Sequence, residues 1–215
     1  MEKMMLRVEP VRLTMALTST LEPDWHQALP VLAGRTLTLR ELRVSDAPAL
    51  LALLSTEEVA RFISPAPITV AGFERFIACS QRERQAGNFL CFGVVPHGSD
   101  TPVGLFQLRQ TEPGFATAEW GFAIGSAYWG SGMFMEAAQL VLDFAFQVVG
   151  AHRVEARAVV QNGRGNGALR KLGALQEGIL RRSFHRNGEH FDQVLWTIIG
   201  SDREQSRAYS GPMVH

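Results

Sequence analysis

The feature that most constrains the fold is an apolar stretch, residues 133–149, whose polar residues recur every three or four positions. These polar residues are Glu136, Gln139, Asp143 and Gln147. On a helix they form one narrow stripe, so almost every other side of the helix must be covered by protein. Lying on a sheet is the usual way to cover such a helix. The sequence therefore predicts a buried helix packed on a β-sheet.

The rest of the chain supplies that sheet. Alternating or short apolar runs predict strands over 35–42, 89–95, 102–110, 116–124, 152–160 and 195–199. Helical periodicity predicts helices over 47–55, 69–87 and 166–174. Ser45 and Asp46 are expected to cap the first of these helices, and Asn187-Gly188 predicts a hairpin turn. This order of elements indicates a single domain of the mixed α/β or α+β class over residues 35–200, with an N-terminal extension (1–34) and a polar C-terminal tail (201–215).

Composition narrows the function classes. With 46% hydrophobic and 20% charged residues and zero formal net charge, the 215-residue chain is ordinary for a globular protein. Neutrality argues against a broad surface for nucleic acid or an acidic membrane, and no stretch approaches the roughly 20 apolar residues of a membrane span. Cys79 and Cys91 have apolar neighbours and no metal-binding spacing, so we expect reduced core thiols, no metal and a cytoplasmic protein. We expect the protein to be a monomer or homodimer.

Two glycines, Gly130 and Gly132, come directly before the apolar helix. A helix start leaves backbone N–H groups unpaired and carries about half a positive charge, so glycines there let an anion approach bare backbone. A tight turn alone would also explain them, since a single G-x-G is a weak signal. The P-loop signature G-x-x-x-x-G-K-[ST] is absent. Met135 stands where the dinucleotide fingerprint needs its third glycine, so that site is not favoured either.

Several short motifs follow one another between residues 118 and 198. They are "AEWGFAI", "YWGSG" followed by "EAA", "HRVEA", Asn162 eleven residues before Gly173 of "KLGA", and "NGEHFDQVLW". As an ordered set they resemble the GNAT superfamily of acyl-CoA N-acyltransferases, and most closely its RimJ/RimL-type branch. The resemblance extends over about 35–199. It implies a mixed, twisted central sheet flanked by helices, in which two parallel strands splay apart.

The resemblance also implies acetyl-CoA as cosubstrate and a primary amine as acceptor, either a protein N-terminal α-amine or a small-molecule amine. Backbone groups in strand 117–124 would contact the pantetheine arm, and the N–H groups of the glycine loop would hold the pyrophosphate. The implied cofactor-binding residues are Phe122, Ala123, Ile124, Trp129, Gly130, Ser131, Gly132, Met133, Phe134, Met135, Asn162, Gly165 and Lys171. The glycines after Asn162 permit either a flexible turn or a second close approach to the cofactor, with Arg164 or Lys171 near the adenosine phosphate.

Acyl transfer to an amine needs a neutral amine and stabilisation of a developing oxyanion. Glu119, early in strand 117–124, resembles the glutamate that many relatives place there, and it is our candidate general base, acting directly or through water. A salt bridge at a strand end is the structural alternative for this residue. The acceptor pocket is expected beside loops 111–116 and 183–191.

Two departures from the family pattern concern the general acid. Leu169 stands where many relatives have a tyrosine, and Gly165 stands where RimJ/RimL-type proteins often have a serine. The general acid is therefore unassigned, with water as a candidate. Because of these departures, a non-catalytic acyl-CoA-binding module is the alternative function. A nucleotide-phosphate binder unrelated to CoA is a third possibility.

Overall fold

A computed structural model describes residues 24–63 and 66–203. The strands are β1 (Leu32–Ala33), β2 (Leu37–Glu41), β3 (Phe89–Pro96), β4 (Gly104–Gln110), β5 (Thr117–Ile124), β6 (Arg153–Val159), β7 (Leu175–Arg186) and β8 (Glu189–Ile199). The helices are α1 (Ala47–Leu54), α2 (Glu57–Ala60), α3 (Val70–Gln85), α4 (Met133–Phe144) and α5 (Gly163–Lys171). The strands form one sheet in the order β1-β2-β3-β4-β5-β6-β8-β7. The predicted mixed α/β class is confirmed.

The apolar helix is α4, and it packs on the sheet as its pattern predicts. Ala137, Ala138, Val141 and Leu142 are completely buried in one cluster with side chains of β2 to β6. After Phe144 the chain continues as a π-helical turn, Ala145–Val149, which ends at Gly150 in the left-handed conformation. The burial of this face holds α4 against the sheet.

The parallel pair β5 and β6 opens into a wedge. The two strands pair only at Thr117 with Arg153, Ala118 with Val154 and Glu119 with Glu155. Beyond these positions β5 follows β4, and β6 follows β8. The backbone edges that face each other beyond Glu119 are therefore not joined by a ladder, and this confirms the splayed sheet.

Residues before position 35 take part in the fold. β1 pairs with β2, and Leu29 is buried in the cluster that contains α4. The carboxylate of Glu136 on α4 accepts hydrogen bonds from the backbone N–H groups of Arg35 and Thr36 and from the Thr36 hydroxyl. Partial burial raises the pKa of Glu136, but these hydrogen bonds outweigh it and hold the pKa below its ordinary value. The packed structure thus begins ahead of residue 35.

The two ends of the chain are only partly described. Residues 1–23 of the predicted extension and 204–215 of the predicted tail lie outside the described residues. In the first part of that tail, the Arg203 guanidinium lies 2.9 Å from the Asp143 carboxylate on α4.

Two local predictions are wrong. Asp46 does not cap α1, because Val44–Asp46 form a 3-10 turn that runs directly into the helix. Its buried carboxylate instead binds the guanidinium of Arg40. Cys79 is exposed on α3, because the inward face of that helix turns Ser80 toward the core. Cys91 is buried in β3 as expected, and burial raises the pKa of its thiol.

An ion pair between β6 and β7 gives a prediction for stability against pH. Arg153 donates two hydrogen bonds to Glu177, at 2.8 and 2.5 Å, and the Thr197 hydroxyl donates another. These contacts lower the pKa of Glu177 from its ordinary 4.5 to about 2. Since the folded pKa is the lower one, the stabilisation is complete above pH 4.5 and disappears as the pH falls toward about 2.

We therefore expect Glu177→Gln to lower the free energy of unfolding at pH 7 by about 1 kcal/mol or less, since the pair is partly exposed. Urea denaturation of both proteins at pH 7, 4 and 3 is expected to show the difference shrinking with acidification. A difference that stays constant over this range would contradict the assignment.

Candidate active site

A cavity of about 700 Å³ lies at the end of β5, between α2, the start of α4 and the start of α5. It contains the greater part of the predicted cofactor site. The predicted residues that line it are Phe122, Ala123, Ile124, Trp129, Gly130, Gly132, Phe134, Met135, Asn162, Gly165 and Lys171. Ser131 and Met133 belong to the same loop without lining the cavity, since the Ser131 hydroxyl donates instead to the Tyr128 carbonyl at 2.7 Å.

The loop before α4 has the backbone geometry of an anion site. Gly130 and Gly132 have φ of 77° and 88°, in the left-handed region that favours glycine. Within residues 24–63 and 66–203, no acceptor is found for the N–H groups of Gly130, Ser131, Gly132, Phe134 and Met135. The Met133 N–H has only a 3.4 Å contact with the Ser131 hydroxyl. Bare donors are thus concentrated at the positive end of a buried helix.

Cationic side chains lie close to this loop. The Arg164 guanidinium stacks on the ring of Trp129, 4.3 Å from its centroid. Trp129 is itself fixed, because its indole N–H donates to the Ile124 carbonyl at 2.8 Å. Lys171, at the end of α5, lines the same cavity. Together with the N–H donors of the loop, these cations suit a ligand that carries more than one phosphate.

The start of α5 explains the glycines after Asn162. The Asn162 carboxamide accepts from the Gly165 N–H at 2.9 Å, so α5 begins at Gly163 rather than at 166 as predicted. A Cβ at Gly165 would lie 2.6 Å from Asn162 Nδ2, so a larger residue there would require the Asn162 side chain to shift. Gly163, Gly165 and Gly167 all line the cavity. This arrangement favours close approach of a ligand to the α5 backbone over a flexible turn.

Asn166 is a structural residue that the sequence did not reveal. It is buried, and its Nδ2 donates to the carbonyls of Val159 and Asn162 while its Oδ1 accepts from the Trp196 indole N–H at 2.8 Å. It thereby joins β6, α5 and β8 below the cavity. Leu169, at the position where relatives often have tyrosine, is buried in the core.

Glu119 lies at the apex of the wedge. It is the last residue of β5 that pairs with β6, and the Arg109 guanidinium donates to its carboxylate at 2.7 Å. About a fifth of its side chain is accessible, at 22%. It does not line the cavity, which begins at Phe122 on the same strand. A group bound in the cavity can therefore reach Glu119 only by extending along the wedge between β5 and β6.

A further side of the cavity was not predicted. It is formed by Glu58, Val59, Arg61, Phe62 and Ile63, which we call the α2 wall. No pattern in the sequence marks these residues. Loops 111–116 and 183–191, which were expected at the acceptor pocket, contribute no lining residue from the described part of the chain.

No helix in the described ranges is long and apolar enough to cross a membrane. Over the same residues, no group of three or more His, Cys, Asp or Glu side chains is arranged to hold a metal ion.

Comparisons with known proteins agree with this geometry. Residues 36–175 match the family model of the acetyltransferase (GNAT) domain, so the chain belongs to the GNAT family of acetyltransferases. It is 31% identical to the Probable N-acetyltransferase YjcK of Bacillus subtilis (strain 168), over 81% of this chain and 100% of the relative. It is 25% identical to the Uncharacterized N-acetyltransferase YoaA of the same strain, over 79% and 97%. Its fold is similar to that of Mycobacterium smegmatis RimJ in complex with CoA-disulfide, with a TM-score of 0.72, 24% identity, and coverage of 83% of this chain and 88% of RimJ.

Proposed function

We propose that this protein transfers an acetyl group from acetyl-CoA to a primary amine, which is either a protein N-terminal α-amine or the amine of a small molecule. The observation that carries the proposal is the group of five bare N–H donors between Gly130 and Met135, opposite the cationic α5. Family membership supplies the reaction class.

The residues of the cavity fit acetyl-CoA. The loop at Gly130–Met135 would bind the diphosphate, and Arg164 or Lys171 would bind the phosphate of the adenosine. The edge of β5 at Phe122–Ile124 would bind the amide groups of the pantetheine arm, as an added strand would. A pantetheine arm that enters from the loop at the end of β5 extends into the wedge, so its thioester would lie nearest Glu119.

The reaction needs no covalent intermediate on the protein. The amine nitrogen attacks the acetyl carbonyl carbon, the C–N bond forms, and the C–S bond breaks with the sulfur leaving as thiolate. Backbone N–H groups on the open edge of β5 would stabilise the negative charge that develops on the carbonyl oxygen. Glu119 would accept the proton of the amine through a water in the wedge, and a water would return a proton to the thiolate.

A charge placed in the loop tests the cosubstrate site. At Gly130 a Cβ meets nothing within 4 Å, and both Asn and Asp tolerate the left-handed conformation, so Gly130→Asn and Gly130→Asp form a matched pair. We expect the Asp variant to bind acetyl-CoA about 10- to 100-fold more weakly than the Asn variant, because its carboxylate faces the diphosphate. Titration calorimetry measures both affinities. Equal affinities would contradict a diphosphate at this loop.

Turnover separates the enzyme from a binding module. The wild-type protein is incubated with acetyl-CoA and a panel of peptides, polyamines and aminoglycosides, and the release of free CoA is monitored. Acetyl-CoA binding without CoA release for any acceptor would favour a non-catalytic acyl-CoA-binding module.

A further inference from the structure

The α2 wall differs in charge from the rest of the cavity. The loop before α4 and the side chains of Arg164 and Lys171 are all suited to anions. Glu58, on α2, is the one carboxylate among the described residues that line the cavity. Within that part of the chain it has no hydrogen-bond or ion-pair partner, and its side chain is exposed. A free carboxylate beside a phosphate-binding surface repels the ligand of that surface unless it faces a cation.

Arg61, the cation of the α2 wall, does not neutralise Glu58. It lies three residues further along the wall, but its guanidinium lies over the ring of Phe62, 5.1 Å from the centroid. It is not within ion-pair distance of Glu58. The carboxylate is therefore available to a cation from outside the chain.

The α2 wall is held in place from the far end of the sheet. Arg186, at the end of β7, donates from one guanidinium nitrogen to the carbonyls of Ala60 and Ile63, the second at 3.0 Å. Val59 is buried in a cluster with Ala123 of β5 and contacts the same side of the cavity. The carboxylate of Glu58 is thus presented beside apolar groups on a segment that is held by contacts at Val59, Ala60 and Ile63.

We infer that Glu58 binds the ammonium group of the acceptor, and that the acceptor is a primary amine carried on an apolar chain or ring. This inference rests on the proposed function and adds to it the residue and the chemistry that select the acceptor. Val59, Phe62 and Ile63 contact the apolar part of the acceptor, and Glu58 pairs with its charged nitrogen before the nitrogen loses its proton.

Two probes of nearly the same shape test the charge preference: phenethylammonium, which carries the cation, and phenethyl alcohol, which does not. Calorimetry on the full chain loaded with CoA is expected to show the ammonium binding about tenfold more tightly than the alcohol. Glu58→Gln is expected to bring the two affinities to within about twofold of each other. Glu57→Gln is the matched control, because Glu57 is also exposed and lies in the same helical turn but does not line the cavity. This control is expected to keep the full preference.

The inference is overturned if Glu58→Gln keeps the preference, if Glu57→Gln loses it equally, or if the wild-type protein binds neither probe or shows no preference. Acetyl-CoA affinity is measured separately. It is expected to be unchanged in Glu57→Gln and not to fall in Glu58→Gln, which removes a negative charge beside the phosphate-binding surface. A wild-type protein that does not bind acetyl-CoA would count against the proposed function instead, and the charge preference is then measured without CoA.

Discussion

Glu119→Gln is expected to lower kcat for acetyl transfer by about 100-fold or more while leaving the affinity for acetyl-CoA unchanged. The substitution preserves the shape of the side chain but removes the group that would take the amine proton. Glu119 is placed for this role because it ends the paired part of β5 and β6, so it lies where the wedge is narrowest. Steady-state kinetics with saturating acetyl-CoA measure kcat, and calorimetry measures the affinity.

The salt bridge of Glu119 with Arg109 supplies the control. Arg109→Gln breaks the same 2.7 Å contact but keeps the carboxylate, and its own side chain is 62% exposed. We expect this variant to change kcat only a few-fold, because it retains the carboxylate that would accept the amine proton. If both variants lower kcat equally, the pair has a structural role at a strand end, which is the alternative that the sequence left open.

Local sequence patterns predicted the parts of the molecule that depend on neighbours in the chain. The polar stripe of α4 and the hairpin at Asn187-Gly188 follow from residues within a turn or two of each other, and both are confirmed. The glycine loop is similar, because its φ angles are local properties of Gly130 and Gly132. Patterns of this kind are sufficient for the fold class and for the position of the loop.

Side chains with distant partners could not be predicted in the same way. Asn166 is identified only by its contact with Trp196, and Arg186 only by its contact with Ala60 and Ile63. The α2 wall enters the cavity because the folded sheet brings it over the end of β5, and its sequence has no period or motif that indicates this. The α2 wall, which we propose as the acceptor side, therefore depends on tertiary packing, whereas the glycine loop can be recognised from a short segment of sequence.

Asp46 shows that even a partner only six residues away in the sequence could not be predicted from a local pattern. A polar residue before a helix predicts a cap, yet its partner is Arg40 on β2, with two hydrogen bonds of 2.8 and 2.9 Å. The hydrogen bonds with Asp46 raise the pKa of Arg40 despite its burial. Both side chains are about nine-tenths buried, at 10% and 6% exposure. The pair fixes the start of α1, which leads directly into the α2 wall.

Asp46→Ala is accordingly expected to lower the free energy of unfolding by about 3–5 kcal/mol, because it leaves the buried Arg40 charge without its main partner. The control is Asp100→Ala, since the carboxylate of Asp100 lies 3.8 Å from Arg40 but is 77% exposed. That change is expected to cost at most about 1 kcal/mol. Urea denaturation at pH 7 measures both.

A double variant then separates the two causes of the loss. If the uncompensated charge is responsible, Arg40→Met added to Asp46→Ala restores part of the lost free energy of unfolding. If the Asp46 carboxylate acts mainly through the Arg43 backbone N–H, which also donates to it at 2.8 Å, the second substitution restores nothing. If Asp46→Ala lowers the free energy of unfolding no more than Asp100→Ala does, the Arg40–Asp46 pair contributes little to the stability of the fold.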